Sequence, residues 1–270
     1  MAQPRKVQDP ERSDGRALTA RSVAASTLLG MTPPRLPSQL LVRSGELFGI
    51  AEGATRVALS RMVAAGELEA DDGAYQLAGH LLARQERQIA SRRADASGGP
   101  WKGEWALRIV RPASRGARER SRLRDAMQRL KLAEEREGVW LRPANLAPDR
   151  FADAAEVVAD QCSSFVGRPD AEDPAELVAR LWDLDKWMDR AGVLRRQMAA
   201  DVDRLEAGDT DALAPTFVVS ASVLRHLVAD PQLPDALCPP SWPGAVLRAE
   251  YERYDVAFKT VWRDWFHRQS

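Results

Sequence analysis

The chain has 270 residues, a length typical of two or three compact domains. It carries 39 Lys or Arg and 39 Asp or Glu, so its formal net charge is zero. This balance argues against a protein that coats nucleic acid nonspecifically, and any nucleic-acid contact is expected to be local and sequence-directed. No apolar run is long enough for a signal segment or a membrane span, and the two cysteines, Cys162 and Cys238, give no disulfide framework. We therefore expect a cytoplasmic protein without a membrane partner.

Residues 1–15 predict a flexible tail, and residues 16–83 have the pattern of a winged helix-turn-helix. Three helices are predicted, from Thr19 to Leu29, from Ser38 to Leu47 and from Glu52 to Gly66. The short turn Phe48-Gly49-Ile50 separates the last two helices, as a helix-turn-helix requires. Two short strands around an Asp72-Gly73 turn then predict the wing.

The third helix has two contrasting faces. Its residues Thr55, Ala58, Leu59 and Met62 follow the helical period and predict an inward face. The opposite face carries short or guanidinium side chains, which suit base edges, thymine methyls and phosphates. The predicted DNA-binding residues are Arg43, Thr55, Arg56, Val57, Ser60 and Arg61. Residues 1–66 also hold nine basic against five acidic residues, although a solvated basic face or a protein-interaction module would show the same pattern.

Charge is segregated after the wing. A linker helix is predicted over residues 84–99, and the segment 84–124 contains twelve basic and four acidic residues. The segment 149–189 contains four basic and eleven acidic residues. The basic segment could contact DNA phosphates or the acidic segment, and the sequence leaves both alternatives open.

Residues 100–173 predict a small α+β domain. The pattern predicts strands from Trp101 to Pro112, from Gly138 to Pro143 and from Cys162 to Val166, with helices from Ala117 to Leu132 and from Asp149 to Val158. A further strand at Ala133 to Glu137 would complete a ferredoxin-like order of elements.

Residues 174–270 predict a C-terminal helical domain. Its helices are expected from Leu177 to Leu205, from Pro215 to Val228 and from Val246 to Phe266. The proline-dense loop before the last helix is expected to be ordered, packed by Leu233, Leu237 and Trp242. The fold class is therefore α+β and mainly α, with a winged helix-turn-helix, a ferredoxin-like domain and a helical domain.

This order of domains resembles the PaaX family of bacterial transcriptional repressors. The resemblance covers nearly the whole chain and rests on three groups of residues: the segments Thr19–Ala24 and Arg56–Gly66; the segments Trp101–Trp105 and Gly138–Pro143, which are similar to a Cas2-like central domain; and the segments Leu181–Asp185, Asp230–Asp235 and Ser241–Gly244. It implies a homodimeric repressor of a catabolic operon, in which an aryl-CoA thioester such as phenylacetyl-CoA releases the protein from double-stranded operator DNA. Two-fold symmetry would then give paired half-sites.

An acyl-CoA pocket needs an apolar slot and cations for the phosphates, and the seam between the central and C-terminal domains is the expected place. The candidate effector-binding residues are Trp140, Arg142, Trp182, Trp187, Arg195, Arg196 and His226. The alternative, in which the tryptophans are core residues and the arginines surface residues, applies to most of them.

Catalysis is not expected. A nuclease of the Cas2 fold places a carboxylate near the end of its first strand, whereas this strand ends with Arg108 and Arg111. The histidines are scattered and no glycine-rich phosphate loop occurs, so neither a metal nor a cofactor is expected. The alternative to a ligand-controlled repressor is a DNA-binding architectural or adaptor protein without small-molecule control.

Overall fold

The computed structural model describes residues 18–93, 101–111, 115–147, 151–170 and 172–268. The chain forms two compact units. Unit 1 comprises Met1–Arg92, Ala191–Val228 and Val246–Ser270, and unit 2 comprises Arg93–Arg190 and Ala229–Ala245. In the described residues helices dominate, and two small antiparallel sheets accompany them, which confirms the α+β, mainly α class. Within the described ranges, no helix combines the length and apolarity that crossing a membrane requires.

Unit 1 begins with a three-helix platform and a hairpin. The elements in chain order are α1 (Ala20–Leu29), β1 (Arg35–Pro37), α2 (Ser38–Glu46), α3 (Glu52–Ala64), β2 (Leu68–Asp71), β3 (Ala74–Leu77) and α4 (Gly79–Arg92). Thr19 caps α1 by accepting a hydrogen bond from the backbone N–H of Ser22, as the sequence predicted. The predicted tail lies outside the described residues, and so does the part of the predicted linker helix beyond Arg93.

The core of this platform is aliphatic. Leu28 and Leu41 are fully buried, and Leu59 and Met62 of α3 are each 1% exposed. Leu68 and Leu77 close the same core from the wing strands. The helix that was predicted to contact DNA is therefore held by its inward face, while its outer face stays available.

Unit 1 also contains helices from the C-terminal third of the chain. They are α8 (Leu184–Glu206), which belongs to unit 1 from Ala191 onwards, α9 (Leu213–Val228) and α10 (Gly244–His267). Tyr251 and Tyr254 of α10 are each 1% exposed, and both phenols are bonded to α9. The Tyr254 hydroxyl donates to the Thr216 carbonyl at 3.1 Å, and the Tyr251 hydroxyl lies 2.9 Å from the Ser220 hydroxyl.

Unit 2 is built on a four-stranded antiparallel sheet. The elements are β4 (Trp105–Val110), α5 (Ala117–Arg129), β5 (Ala133–Arg136), β6 (Val139–Pro143), α6 (Ala152–Gln161), β7 (Cys162–Gly167) and α7 (Pro174–Leu181). The strand order is β5-β6-β4-β7 with antiparallel neighbours throughout, which is the expected strand-helix-strand-strand-helix-strand arrangement. The strand predicted at residues 133–137 is present as β5.

Each face of this sheet has its own core. Trp140, Leu123 and Val158 pack between the sheet and the helices α5 and α6. On the other face Trp105 and Leu141 pack against α7 and Leu233 of the proline-dense loop. This loop is packed as predicted, with Leu237 on the same core and the Trp242 ring stacked 4.3 Å from Trp187.

The predicted single helix from Leu177 to Leu205 is wrong in one respect, because α7 and α8 are separate helices. Trp182 adopts an extended backbone conformation and ends α7. The side chain of Asp183 then accepts a hydrogen bond from the backbone N–H of Lys186 at 3.0 Å, which begins a new helix. The helical period of the apolar residues continues across this break, so periodicity alone did not reveal it.

Candidate nucleic-acid interface

Helices α2 and α3 are joined by a tight turn. Gly49 has φ of +70°, a conformation that glycine adopts without strain, and the Ile50 N–H donates to the Gly45 carbonyl at 3.1 Å. Gly45 also lets Thr55 approach, because a Cβ at position 45 would lie 2.5 Å from the Thr55 hydroxyl oxygen. These close approaches fix the position of α3 relative to α2.

A Schellman motif ends α3. Gly66 has φ of +68°, its N–H donates to the Val63 carbonyl at 3.0 Å, and the Glu67 N–H donates to the Met62 carbonyl at 2.9 Å. The wing follows at once, with Asp72 and Gly73 both at positive φ, as a two-residue hairpin turn requires. The predicted helix stop and hairpin turn are both confirmed.

The outer face of α3 is exposed. Arg56, Ser60 and Arg61 are exposed, and Val57 is 51% exposed although it is apolar. Arg43, in the last turn of α2, is half-buried. The side chains offered to solvent by α3 are thus guanidinium groups, a hydroxyl and a branched apolar group. These are suited to phosphates, base edges and thymine methyls.

One residue of the predicted contact set needs correction. Thr55 is 1% exposed, and its side chain lies against Gly45 at the crossing of α2 and α3. Its position in the inward-facing period explains this burial. Thr55 is therefore a packing residue in this structure and presents no surface to DNA.

Two arginines on or near α3 form ion pairs with glutamates. Arg56 donates to Glu52 one turn earlier at 2.8 Å, and both side chains are 55% exposed. Arg21 of α1 donates to Glu67 at the start of the wing at 2.9 Å. The Arg21 guanidinium holds the pKa of the Glu67 carboxyl below its usual value, despite the opposing effect of burial.

The third strand of the wing sheet, β1, was missed by the sequence analysis. It pairs with β3 and places Arg35 3.1 Å from the Asp71 carboxylate. A three-residue strand that ends in proline is too short to show the alternating pattern from which strands are predicted, and Leu36 is its one apolar residue besides the proline. Arg35 adds a basic side chain beside the wing turn, where the sequence showed only Asp71 and Asp72.

Four of the seven effector candidates belong to unit 2, where they have structural roles. Trp140 lies in the core and Trp182 packs at the edge of the other core. Arg142 is 4% exposed and donates to the Asn145 side chain at 2.7 Å and to the Gln232 carbonyl at 3.1 Å, which fixes the proline-dense loop. Trp187 is 7% exposed and stacks on Trp242.

The other three candidates belong to unit 1. Arg195 donates to Glu250 of α10 at 2.8 and 2.6 Å, Arg196 is exposed, and His226 is 9% exposed. The seven residues are thus divided between the two units. Residue type, on which the prediction depends, does not indicate the unit to which a residue belongs.

The two arginines that argued against a nuclease bind backbone oxygens. Arg108 donates to the carbonyls of Leu107 and Phe165, and burial lowers its pKa. Arg111 donates to the Ala159 carbonyl at 3.2 Å. In the part of the chain that the structure describes, no three His, Cys, Asp or Glu residues form a group that could hold a metal ion, and both cysteines are free.

Comparisons with known proteins agree with this arrangement. Residues 19–81 match the family model described as PaaX-like protein, and residues 182–268 match the model described as PaaX-like protein C-terminal domain. A search of curated proteins gives no match. A solved structure described as uncharacterized protein Rv0674 from Mycobacterium tuberculosis is 40% identical, with a TM-score of 0.66, and the match covers 92% of this chain and 99% of that one. The chain belongs to the PaaX-like family.

Proposed function

We propose that the protein is a transcriptional repressor that inserts α3 into the major groove of operator DNA. The observation that carries this proposal is the exposed face of α3, with Arg56, Val57, Ser60 and Arg61 on a helix whose other face is fixed in the platform core. Membership of the PaaX-like family supports transcription regulation and DNA binding.

Each side chain of this face has a distinct role in the proposed complex. Arg56 and Arg61 bind base edges or phosphates, and Val57 contacts a thymine methyl. Ser60 donates to an acceptor on a base edge, and Arg43 reaches the phosphate backbone next to the groove. The wing lies beside the same groove and contacts the backbone through Arg35 once its ion pair with Asp71 is exchanged for a phosphate.

The proposed repressor is a homodimer that binds two half-sites one or more helical turns apart. Its effector is an acyl-CoA thioester such as phenylacetyl-CoA, as in the family it belongs to. Release requires that the effector bind the DNA-incompetent state more tightly, and a coupling free energy of about 1 to 3 kcal/mol is typical. The regulated genes are those that degrade the acid of the thioester.

A mobility-shift titration on the protein's own upstream DNA at fixed salt tests the proposal. It is repeated with phenylacetyl-CoA, other aryl-CoA thioesters, free CoA and the free aryl acids. Tight, sequence-specific binding that one thioester relieves supports a ligand-controlled repressor. Specific binding that no thioester relieves contradicts the effector and favours the adaptor alternative, whereas affinity no greater than for random DNA contradicts the operator function.

A further inference from the structure

A strongly basic cavity lies within unit 1, between α1, α4 and α9. Its volume is about 460 Å³, within the range of small-molecule sites. All of its ionisable lining residues are basic: Arg21, His80, Arg84, Arg87 and Arg225. Arg21 lies in the segment that the first family model matches, and Arg225 lies in the segment that the second model matches. Arg84 and Arg87 follow the end of the first segment. We call this space the basic cavity.

The arginines of the basic cavity repel one another. Burial lowers the pKa of Arg84, and the neighbouring charges of Arg225, Arg87 and Arg21 lower it further. Arg21 is paired with Glu67, and Arg225 donates to the Ser222 hydroxyl at 3.0 Å. No acidic side chain lines the cavity, and Glu67, which lies outside its lining, pairs with Arg21 and lies 3.7 Å from the His80 Nε2. A bound anion with several oxygens would relieve this repulsion and accept hydrogen bonds from the guanidinium groups.

A narrow aromatic cleft adjoins the basic cavity. Its volume is about 60 Å³, several times the roughly 10 to 15 Å³ that a water molecule needs. Rings of Phe217, Phe258 and Trp262 line it, and the two spaces share four lining residues: Ser26, Arg84, Phe217 and Ala221. The two spaces therefore meet at these four residues, and a molecule in the basic cavity lies next to the aromatic cleft.

Three side chains that line the aromatic cleft carry a buried polar atom without a hydrogen-bond partner among the described residues. They are the Thr27 hydroxyl, the Gln88 carbonyl oxygen and the Trp262 indole N–H, in residues 1%, 6% and 3% exposed. A buried polar atom without a hydrogen-bond partner destabilises the folded state. Their presence around one cleft favours a ligand that has a polar group next to its apolar part, such as a thioester carbonyl.

We propose that the basic cavity and the aromatic cleft form one effector site, which takes an acyl thioester of a phosphate-bearing carrier. The phosphates bind Arg84, Arg87 and Arg225, and the acyl group enters the aromatic cleft. This inference rests on the proposed function, since it locates the effector of that repressor. The proposed effector site lies between α1, α4 and α9, whereas the sequence predicts it at the seam between the central and C-terminal domains.

The position of the site also offers a route to the DNA-binding helix. The Phe217 ring, which lines both spaces, lies 5.1 Å from the ring of Phe48 in the turn between α2 and α3. Helix α1 lines both spaces with Ser26 and packs against α3 through the core that holds Leu28 and Leu59. A ligand that displaces Phe217 or α1 therefore changes the position of α3, which is how it releases the operator.

Isothermal titration of the full-length protein tests the site, with phenylacetyl-CoA, CoA and phenylacetate as probes. Three variants are compared, all checked for wild-type helix content by circular dichroism. Arg84→Gln removes a central guanidinium, Ala221→Phe fills the shared space without changing charge, and Arg93→Gln is the matched control on an exposed arginine outside both spaces. If Ala221→Phe fails to fold, Arg225→Gln replaces it.

Wild-type protein is expected to bind phenylacetyl-CoA most tightly, CoA more weakly and phenylacetate most weakly. Arg84→Gln and Ala221→Phe should each weaken thioester binding by about tenfold or more, and Arg93→Gln by less than about twofold. If thioester releases the operator but both site variants bind it as wild type does, the site is wrong and the repressor stands. If no thioester binds wild-type protein, the proposed effector and this site both fail, while operator binding stands. A loss of operator affinity by Arg84→Gln without ligand would assign Arg84 to DNA and overturn the site.

Discussion

Arg92 and Asp255 join the helix that follows the wing to the last helix of the chain, with the guanidinium 2.8 Å from the carboxylate. Asp255 is 6% exposed, and it also accepts from Lys259 at 2.9 Å. Arg92 donates to Glu252 as well, and this bond lowers the pKa of the Glu252 carboxyl. A second polar link joins α4 to α10, because Arg248 donates to the Ser91 carbonyl at 2.9 Å. Both Arg92 and Asp255 line the aromatic cleft.

Replacing Asp255 by Ala should lower the free energy of unfolding by about 1.5 to 3 kcal/mol, because a buried charged hydrogen bond is lost. Urea denaturation measures this change. Glu206→Ala is the control, since Glu206 forms an equally short pair with Arg253 in which both side chains are exposed. It should cost less than about 1 kcal/mol. Equal losses in the two variants would contradict the structural role of Asp255.

Arg56→Ala should weaken operator binding by about 1 to 3 kcal/mol, because an arginine contact to a base edge or phosphate is removed. The exposed pair with Glu52 contributes about 0.3 to 0.5 kcal/mol, so stability should change little. Glu52→Gln breaks the same pair but keeps the guanidinium, and it should leave operator affinity equal or higher. Affinities are compared by fluorescence anisotropy at matched salt. If Arg56→Ala binds as wild type does, α3 is not the helix in the groove.

The two faces of α3 predict opposite effects of truncation. Leu59→Ala should lower the free energy of unfolding by about 2 to 5 kcal/mol, since Leu59 is 1% exposed in the core. Val57→Ala should change it by less than about 0.5 kcal/mol, since Val57 is 51% exposed, yet it should weaken operator binding. Thermal denaturation and anisotropy together separate these outcomes. Wild-type affinity in Val57→Ala would indicate that this face is only solvated.

The pair of Arg21 and Glu67 predicts a pH dependence. The pKa of Glu67 is lowered in the folded state, so the pair stabilises the protein above the ordinary value near 4.5 and is lost as pH falls through the folded pKa. The stability difference between wild type and Glu67→Gln should therefore be largest at neutral pH and shrink below about pH 4.5. Urea denaturation at several pH values measures it. Arg21→Gln should give the same flattening, and a constant difference across pH would contradict the pair.

Local features of unit 1 could be predicted from the sequence because their determinants are close together in the chain. The period of Leu59 and Met62 identified the inward face of α3, and the Asp72-Gly73 pair identified the wing turn. The partners of buried polar groups were beyond prediction. The residues around Arg142 do not indicate that its guanidinium donates hydrogen bonds to the Asn145 side chain and to the carbonyl of Gln232, which lies 90 residues further along the chain.

The basic cavity shows the same limit. The sequence shows Arg84 and Arg87 within a basic segment, but Arg225 lies on α9, and only the folded chain brings the three arginines together. Residue type alone predicts the effector candidates, and type does not distinguish an arginine paired with Glu250, such as Arg195, from one such as Arg84 that neighbouring arginines repel. Whether a charge is compensated depends on ion pairs between residues that are distant in the chain, and a single sequence does not show these pairs.

The crossing of α2 and α3 gives a last prediction. A Cβ at position 45 would lie 2.5 Å from the Thr55 hydroxyl oxygen, an atom without a hydrogen-bond partner among the described residues. Gly45→Ala should therefore lower the free energy of unfolding by about 1 to 3 kcal/mol through overpacking, and it should weaken operator binding by displacing α3. Gly53→Ala is the matched control, because a Cβ there meets nothing within 4 Å, and it should stabilise the helix slightly.

The double variant Gly45→Ala/Thr55→Ala identifies the cause. Removing the Thr55 hydroxyl takes away the atom that the new methyl group would meet, and that methyl group then occupies part of the space that Thr55→Ala vacates. The double variant should therefore be more stable than the sum of the single changes predicts, by about 1 kcal/mol or more. Operator affinity should recover with it. Strict additivity would mean that the cost of Gly45→Ala arises elsewhere than in the contact of α2 with α3.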